Sequence, residues 1–348
     1  MKHSLELCIA ASVLFASCAS QRCAAPPQPI SASGATAQDA AVVYEAGERE
    51  AAASSFQEIW AYLLDGREET LSPDLPVTDV GYFGATVNTY GSLTGVPDAS
   101  KLAGFGGRVH MVVTCDSRSL THFVLMEESD TRRSLIAELI EASAPYDGLQ
   151  IDFELVPARD GDAFYSFLSE LSAEMKRQGK LFTIALPART RTISDDVYDY
   201  SRIAPVVDRL LVMAYDEHWS GSAPGPIASL DWCERVAAYA QEHVPADKLI
   251  MGLPFYGRTW GDENTFRAFQ FAGISRIIRE HGVSHIAREN EIPTFTYEIP
   301  ITVSVYFEDV HSLAVRLNAY ERMGVRHAGF WCLGQEDPRI WEMISVVP

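Results

Sequence analysis

Basic side chains are the first scarcity in this chain. Lys and Arg number 28 against 47 Asp and Glu among 348 residues, a formal net charge of −19. That balance argues against a nucleic-acid partner, because binding a phosphate backbone relies on neutralising it with basic groups. Docking on anionic lipid through a basic patch is disfavoured for the same reason. Cysteine is sparse, six in all. Cys8 and Cys18 sit near the N-terminus, and Cys23, Cys115, Cys233 and Cys332 show no CxxC spacing, so zinc and redox motifs are not expected. Cys115 and Cys332 read as buried thiols, with pairing left open by sequence. No apolar run is long enough to span a bilayer. No glycine-rich phosphate loop follows a strand-like run, and no repeat of about 20–50 residues appears. His218 lacks partners at metal-ligand spacing, so neither metal nor cofactor is expected.

What is present begins with an N-terminal export pattern. Met1-Lys2 precedes an apolar stretch from Leu7 to Ala16, and Phe15-Ala16-Ser17-Cys18 resembles a bacterial lipobox. The pattern implies a signal peptide over 1–17 and a lipidated Cys18, placing the chain in the cell envelope as an exported, membrane-anchored lipoprotein. The following residues are rich in Ala, Pro, Ser and Gln. They cannot bury enough apolar surface to offset ordering, so 18–55 is expected to be a flexible tether reaching ~30–35 Å.

From Phe56 onward, short apolar runs alternate with amphipathic ones. Candidate strands are 59–63, 80–87, 108–114, 148–154, 181–186, 209–215, 249–253 and 328–331. Between them, 131–142, 162–178 and 310–323 carry one-sided apolar stripes, such as Phe164, Phe167, Leu168, Leu171 and Met175. Eight strands alternating with helices predict a (β/α)8 TIM barrel over 56–348. The irregular stretch from about 260 to 305 predicts a small α+β insertion between strands seven and eight.

Carboxylates then stand out in an apolar run, Asp147-Gly148-Leu149-Gln150-Ile151-Asp152-Phe153-Glu154. Strand periodicity puts Gln150, Asp152 and Glu154 on one face and Leu149, Ile151 and Phe153 on the other. Asp152 and Glu154 would lie about 7 Å apart at ~3.3 Å rise per residue. Two acids that close in a dry site do not titrate alike: one keeps its proton while the other ionises. Acid-catalysed glycosidic cleavage needs that division. Asp147 reads equally as a local cap. Active sites of such barrels form at the C-terminal strand ends. There the sequence places Tyr215-Asp216 after strand six, the run from Gly252 through Arg258 to Trp260 after strand seven, and Trp331 on strand eight. Aromatic faces beside carboxylates suit a sugar. Tyr62 and Tyr82 are candidates for the cleft wall, and Arg258 either contacts substrate or pairs with Asp262 or Glu263.

These motifs resemble glycoside hydrolase family 18. Asp147–Glu154 resembles its DGxDxDxE signature, Met213–Asp216 its MxYD motif, Leu253–Arg258 its PxYGR-type segment, and Gly329–Trp331 its final strand. The ending from Phe330 to Trp341, with Phe307-Glu308-Asp309, resembles the bacterial spore-cortex-fragment lytic branch. The resemblance implies a retaining enzyme in which the substrate acetamido group is the nucleophile. Glu154 is then the general acid and base, and Asp152 orients the acetamido group. Tyr215 binds its oxygen, with Asp216 close by, and Trp331 floors the reacting sugar. Tyr82, Arg258 and Gln150 complete the expected substrate contacts. Gln150 departs from the family acid, and the missing charge is expected to make Asp152 easier to ionise and to alter the pH profile. The implied partner is an N-acetylglucosamine-containing glycan, from peptidoglycan or chitin-like oligomers, handled by a monomer. The alternatives are a non-catalytic carbohydrate-binding relative and an endo-β-N-acetylglucosaminidase acting on N-glycans.

Overall fold

The computed structural model describes residues 42–127, 129–261, 267–299 and 301–347. The signal segment, Cys18 and Cys23 lie outside them, as do Asp262 and Glu263.

Eight strands close into a barrel: Glu58–Leu64, Asp79–Val87, Arg108–Thr114, Gly148–Asp152, Leu181–Pro187, Arg209–Met213, Leu249–Pro254 and His327–Trp331. Each pairs in parallel with its successor, and the eighth pairs with the first. This is the expected (β/α)8 architecture. The helical layer is uneven. Gly161–Arg177 buries Phe164, Phe167, Leu168, Leu171 and Met175 completely, each contributing roughly 1.5–3 kcal/mol. The first two crossovers carry only the 3-10 turns Glu68–Thr70 and Ala99–Leu102, and the fifth a four-residue helix, Tyr200–Ile203. Helices Arg118–Leu125 and Leu230–His243 had no counterpart among the sequence-expected ones.

The expected insertion exists and begins earlier, at Tyr256. Strands Tyr256–Gly261, Arg267–Gln270, His285–Glu289, Ile292–Glu298 and Thr302–Tyr306 form a sheet beside helix Phe271–Glu280. Its own core contains Ile274, Ile286, Phe295, Val303, Val305 and Phe307. The hairpin between His285–Glu289 and Ile292–Glu298 turns at Asn290 and Glu291, both with positive φ (47° and 72°). Two such residues match the twist of the flanking strands.

The tether expected to reach residue 55 gives way to order sooner. Val43–Tyr44 adds a parallel strand to the insertion sheet at His285–Ile286. Ser54–Phe56 pairs with Ile344–Val346 at the C-terminus. Between them the Arg49 amide donates to Glu291 (2.9 Å) and the Ala52 amide to Asn318 (2.8 Å). Low apolar content did not prevent ordering here, because the backbone pairs with edges the barrel domain already offers. Cys115, Cys233 and Cys332 are free, buried thiols.

Candidate active site

The acid-bearing strand ends at Asp152, two residues short of the expected boundary. Its last ladder partners are Thr114 on strand three and, for Ile151, Ile184 on strand five. Beyond them no neighbouring backbone is in register, and side chains take over. The Tyr198 hydroxyl donates to the Phe153 carbonyl (2.9 Å) and accepts from the Val156 amide (3.0 Å). Thr121 donates to the Leu155 carbonyl (2.9 Å). Glu154 is therefore held on a turn clamped from two sides. Nothing in the local pattern marked Tyr198 or Thr121; their role depends on a loop and a helix that meet only in the fold.

Side-chain alternation sorts the other candidates. Tyr62, Phe83, Tyr215, Tyr256 and Trp331 share the apolar cluster inside the barrel mouth. Tyr62 and Phe83 flank Trp331, with ring centroids 5.2 and 4.9 Å away. Gly81 makes room for Tyr62, since a Cβ there would stand 2.8 Å from its ring. Gly252 does the same for Tyr215, at 3.2 Å. Tyr82 must be corrected. It is fully buried in the outer core between barrel and helices, and its hydroxyl binds Glu68 and Asp65 instead of reaching the cleft. Neighbours on a strand face opposite ways, so Phe83 occupies the inward place expected of Tyr82.

Gln150 is fully buried beneath the acids. Its Oε1 accepts from Tyr62 (2.5 Å) and its Nε2 donates to Thr183 (3.1 Å). Asp147 stays structural, accepting the Val109 amide (2.8 Å). Asp216 sits at φ 60°, a region that costs a non-glycine residue free energy and recurs at functional sites. Its Oδ1 accepts from the Tyr256 hydroxyl (2.5 Å) and from Arg258 Nε (2.9 Å). Arg258 thus joins the site as the cation of Asp216. Trp331, Tyr215 and Asp216 all come to the same mouth as Asp152 and Glu154.

The two ends of the barrel treat acids differently. At the floor, burial opposes ionisation of Glu58, but Arg209, Trp60 and Arg108 outweigh it and hold its pKa at about 2. At the mouth, among the described residues, no cation pairs with Asp152 or Glu154, and Arg258 is taken up by Asp216. Burial, then Asp116 and Asp216, push Glu154 up to about 7. Asp152 lies well above the carboxylate range through burial first, then Glu154 and Asp116. Its Oδ1 is buried with no hydrogen-bond partner. Even with the uncharged Gln150 beside it, burial and the two remaining acids keep Asp152 above the carboxylate range. Asp116, just past strand three, was not singled out from the sequence, although its place at a strand end was the available signal. Among the described residues, no group of three or more His, Cys, Asp or Glu side chains is arranged to hold a metal ion.

A closed parallel barrel whose mouth carries a proton-retaining carboxyl, a second buried acid and an aromatic floor has the working parts of a glycoside hydrolase. The chain belongs to family 18 of the glycosyl hydrolases, whose model matches residues 93–336. Bacillus subtilis YdhD is 33% identical over 232 residues, covering 62% of this chain and 54% of that protein. The cortical fragment-lytic enzyme of Bacillus subtilis is 25% identical over 236 residues, covering 64% and 55%. The chain thus spans a little over half the length of these curated relatives. The spore cortex-lytic enzyme SleL of Bacillus cereus shares the fold, with a TM-score of 0.75 at 21% identity over 84% of this chain and 76% of that one.

Proposed function

We propose that the chain is a retaining hydrolase of β-linked N-acetylglucosamine bonds working by substrate assistance, with peptidoglycan fragments as the favoured substrate and chitin-like oligomers second. The observation that carries the mechanism is the pair of buried acids at the mouth, both raised in pKa, with an unpartnered oxygen on Asp152. Asp152 is buried with an unpartnered oxygen, and burial followed by the neighbouring Glu154 raises its pKa and favours its protonated form. A protonated carboxyl is a poor nucleophile and a good hydrogen-bond partner, which fits a role on the acetamido group. Glu154, with a pKa of about 7, is poised to give and take a proton near neutrality.

The steps follow. Glu154 protonates the glycosidic oxygen, and the C1–O bond breaks as the acetamido oxygen bonds to C1. The leaving sugar departs as an alcohol, leaving Glu154 ionised. Asp152 holds the acetamido nitrogen, and Tyr215, its hydroxyl kept neutral by burial, donates to the acetamido oxygen. Glu154 then takes a proton from a water that attacks C1. The acetamido bond to C1 breaks and configuration is retained. Trp331, flanked by Tyr62 and Phe83, offers the sugar an apolar face. The peptidoglycan preference is supported by the cortical fragment-lytic relatives and by the export pattern ending at Cys18.

The test is a mass-spectrometric digest of muropeptides beside chitin oligomers and N-glycans. Release of N-acetylglucosamine-ended muropeptides is the expected result. Equal turnover of substrates lacking the reacting N-acetyl group would refute substrate assistance. Cys18→Ser is expected to release the protein from the membrane fraction, and retention there would refute the lipid anchor.

A further inference from the structure

We propose that Asp116, one strand over from the acid pair, is a positioning residue for the reaction: it places beside the proton donor the negative neighbour that Gln150 does not provide. The inference rests on Glu154 being the proton donor. Its first support is register. Strands three and four run parallel with Val112 beside Gln150 and Thr114 beside Asp152. The ladder ends there; the next residue of each chain, Cys115 and Phe153, turns into the outer core, which leaves Asp116 and Glu154, one step further, on the mouth side. Both acids therefore follow the same last rung, Thr114 beside Asp152, at the mouth, although 38 positions separate them in sequence.

The second support is the charge around Glu154. Strand four contributes Asp152, the end of strand six contributes Asp216, and strand three contributes Asp116. Tyr62, Tyr215 and Tyr198, from strand one and the loops after strands six and five, are kept neutral by burial. The one cation in this set, Arg258, is paired with Asp216. Among the described residues no Lys, Arg or His lies within ion-pair distance of Asp116. Its negative charge therefore acts on Glu154 without local compensation, and it precedes Asp216 among the charges raising that group. A merely structural role for Asp116 would be to cap helix Arg118–Leu125, but Ser117 is the cap.

The residue Asp116 is exposed overall although partial burial of its carboxyl raises its own pKa, so its influence is partly screened, and ~0.5–1 pH unit is the expected size at low salt. The test uses Asp116→Asn in the full chain, with Glu154 followed directly by carboxyl carbon NMR and assigned through Glu154→Gln. The Glu154 midpoint and the alkaline limb of kcat/KM on N-acetylglucosamine oligomers should both fall by that amount. The rate at about pH 5 should stay within about two-fold, and Asp116→Glu should restore the limb. The difference from wild type should shrink in molar salt. An unchanged Glu154 midpoint in Asp116→Asn, with an unaltered melting curve, overturns the proposal. The carboxyl titration needs no substrate, so it judges Asp116 even if an active Glu154→Gln enzyme were to remove Glu154 from the acid role.

Discussion

Replacing Glu154 by Gln should abolish hydrolysis and make the protein more stable, with a pH dependence set by one group. In the fold the Glu154 carboxyl titrates at about 7 instead of 4.5. Below about pH 4.5 both folded and unfolded chains hold that proton, and Glu154 has no effect on their balance. Between 4.5 and 7 the unfolded chain ionises while the folded chain does not, so the folded state loses ground steadily. Above 7 the loss is complete. At ~1.4 kcal/mol per pH unit, the penalty reaches about 3 kcal/mol. Gln has the same shape and no proton to release, so the penalty disappears. Relief of Asp152, which Glu154 also pushes upward, acts in the same direction. For a domain of this size, about 3 kcal/mol corresponds to roughly 5 °C in melting temperature. Thermal and urea denaturation of both proteins at about pH 4 and pH 8, with hydrolysis of N-acetylglucosamine oligomers followed in parallel, makes the assay. The expected pattern is no difference at the acid end, a gain of several degrees at the alkaline end, and activity lower by several orders of magnitude. A variant equally stabilised at both pH values would show that the gain comes from packing, and the electrostatic reasoning would fail.

Other perturbations separate site from scaffold. Tyr82→Phe loses the hydrogen bonds to Glu68 and Asp65. It should cost about 1 kcal/mol in denaturant unfolding while leaving KM unchanged, and a raised KM would return Tyr82 to the cleft. Gln150→Ala strands the buried Tyr62 hydroxyl and Thr183, so a loss of about 2–4 kcal/mol is expected, measured as a lower urea midpoint. Arg316→Met leaves Glu308 buried without its cation and should destabilise by about 3–5 kcal/mol at neutral pH. Burial already lifts Glu308 to about 7, so this loss should lessen below that pH as the stranded carboxyl takes up a proton, and a loss equal at pH 5 and pH 8 would count against the ion-pair account.

The sequence alone was enough for the eight barrel strands, the place of the insertion and the strand end at which the two central acids sit. Each of these is written locally. Apolar alternation specifies a strand whatever its neighbours are, and the run from Asp147 to Glu154 carries its acids at a fixed spacing. The tertiary structure decided what depends on residues far apart in the chain. Closure of the barrel determined which parity of each strand faces inward, so Phe83 and not Tyr82 meets Trp331. The last ladder partners determined where strand four stops, and a helix and a loop from two other crossovers clamp the Glu154 turn beyond it. Edges of the insertion sheet and the C-terminal strand ordered a segment whose composition reads as tether. Protonation was the least legible property. Two acids two residues apart announce that their pKa values differ, but the order and size of the difference come from desolvation and from charges on other strands. Arg209 and Arg108 hold Glu58 ionised at the floor, while Asp116 and Asp216 crowd Glu154 at the mouth. Coulomb energy depends on distance in space, and only the closed barrel sets those distances.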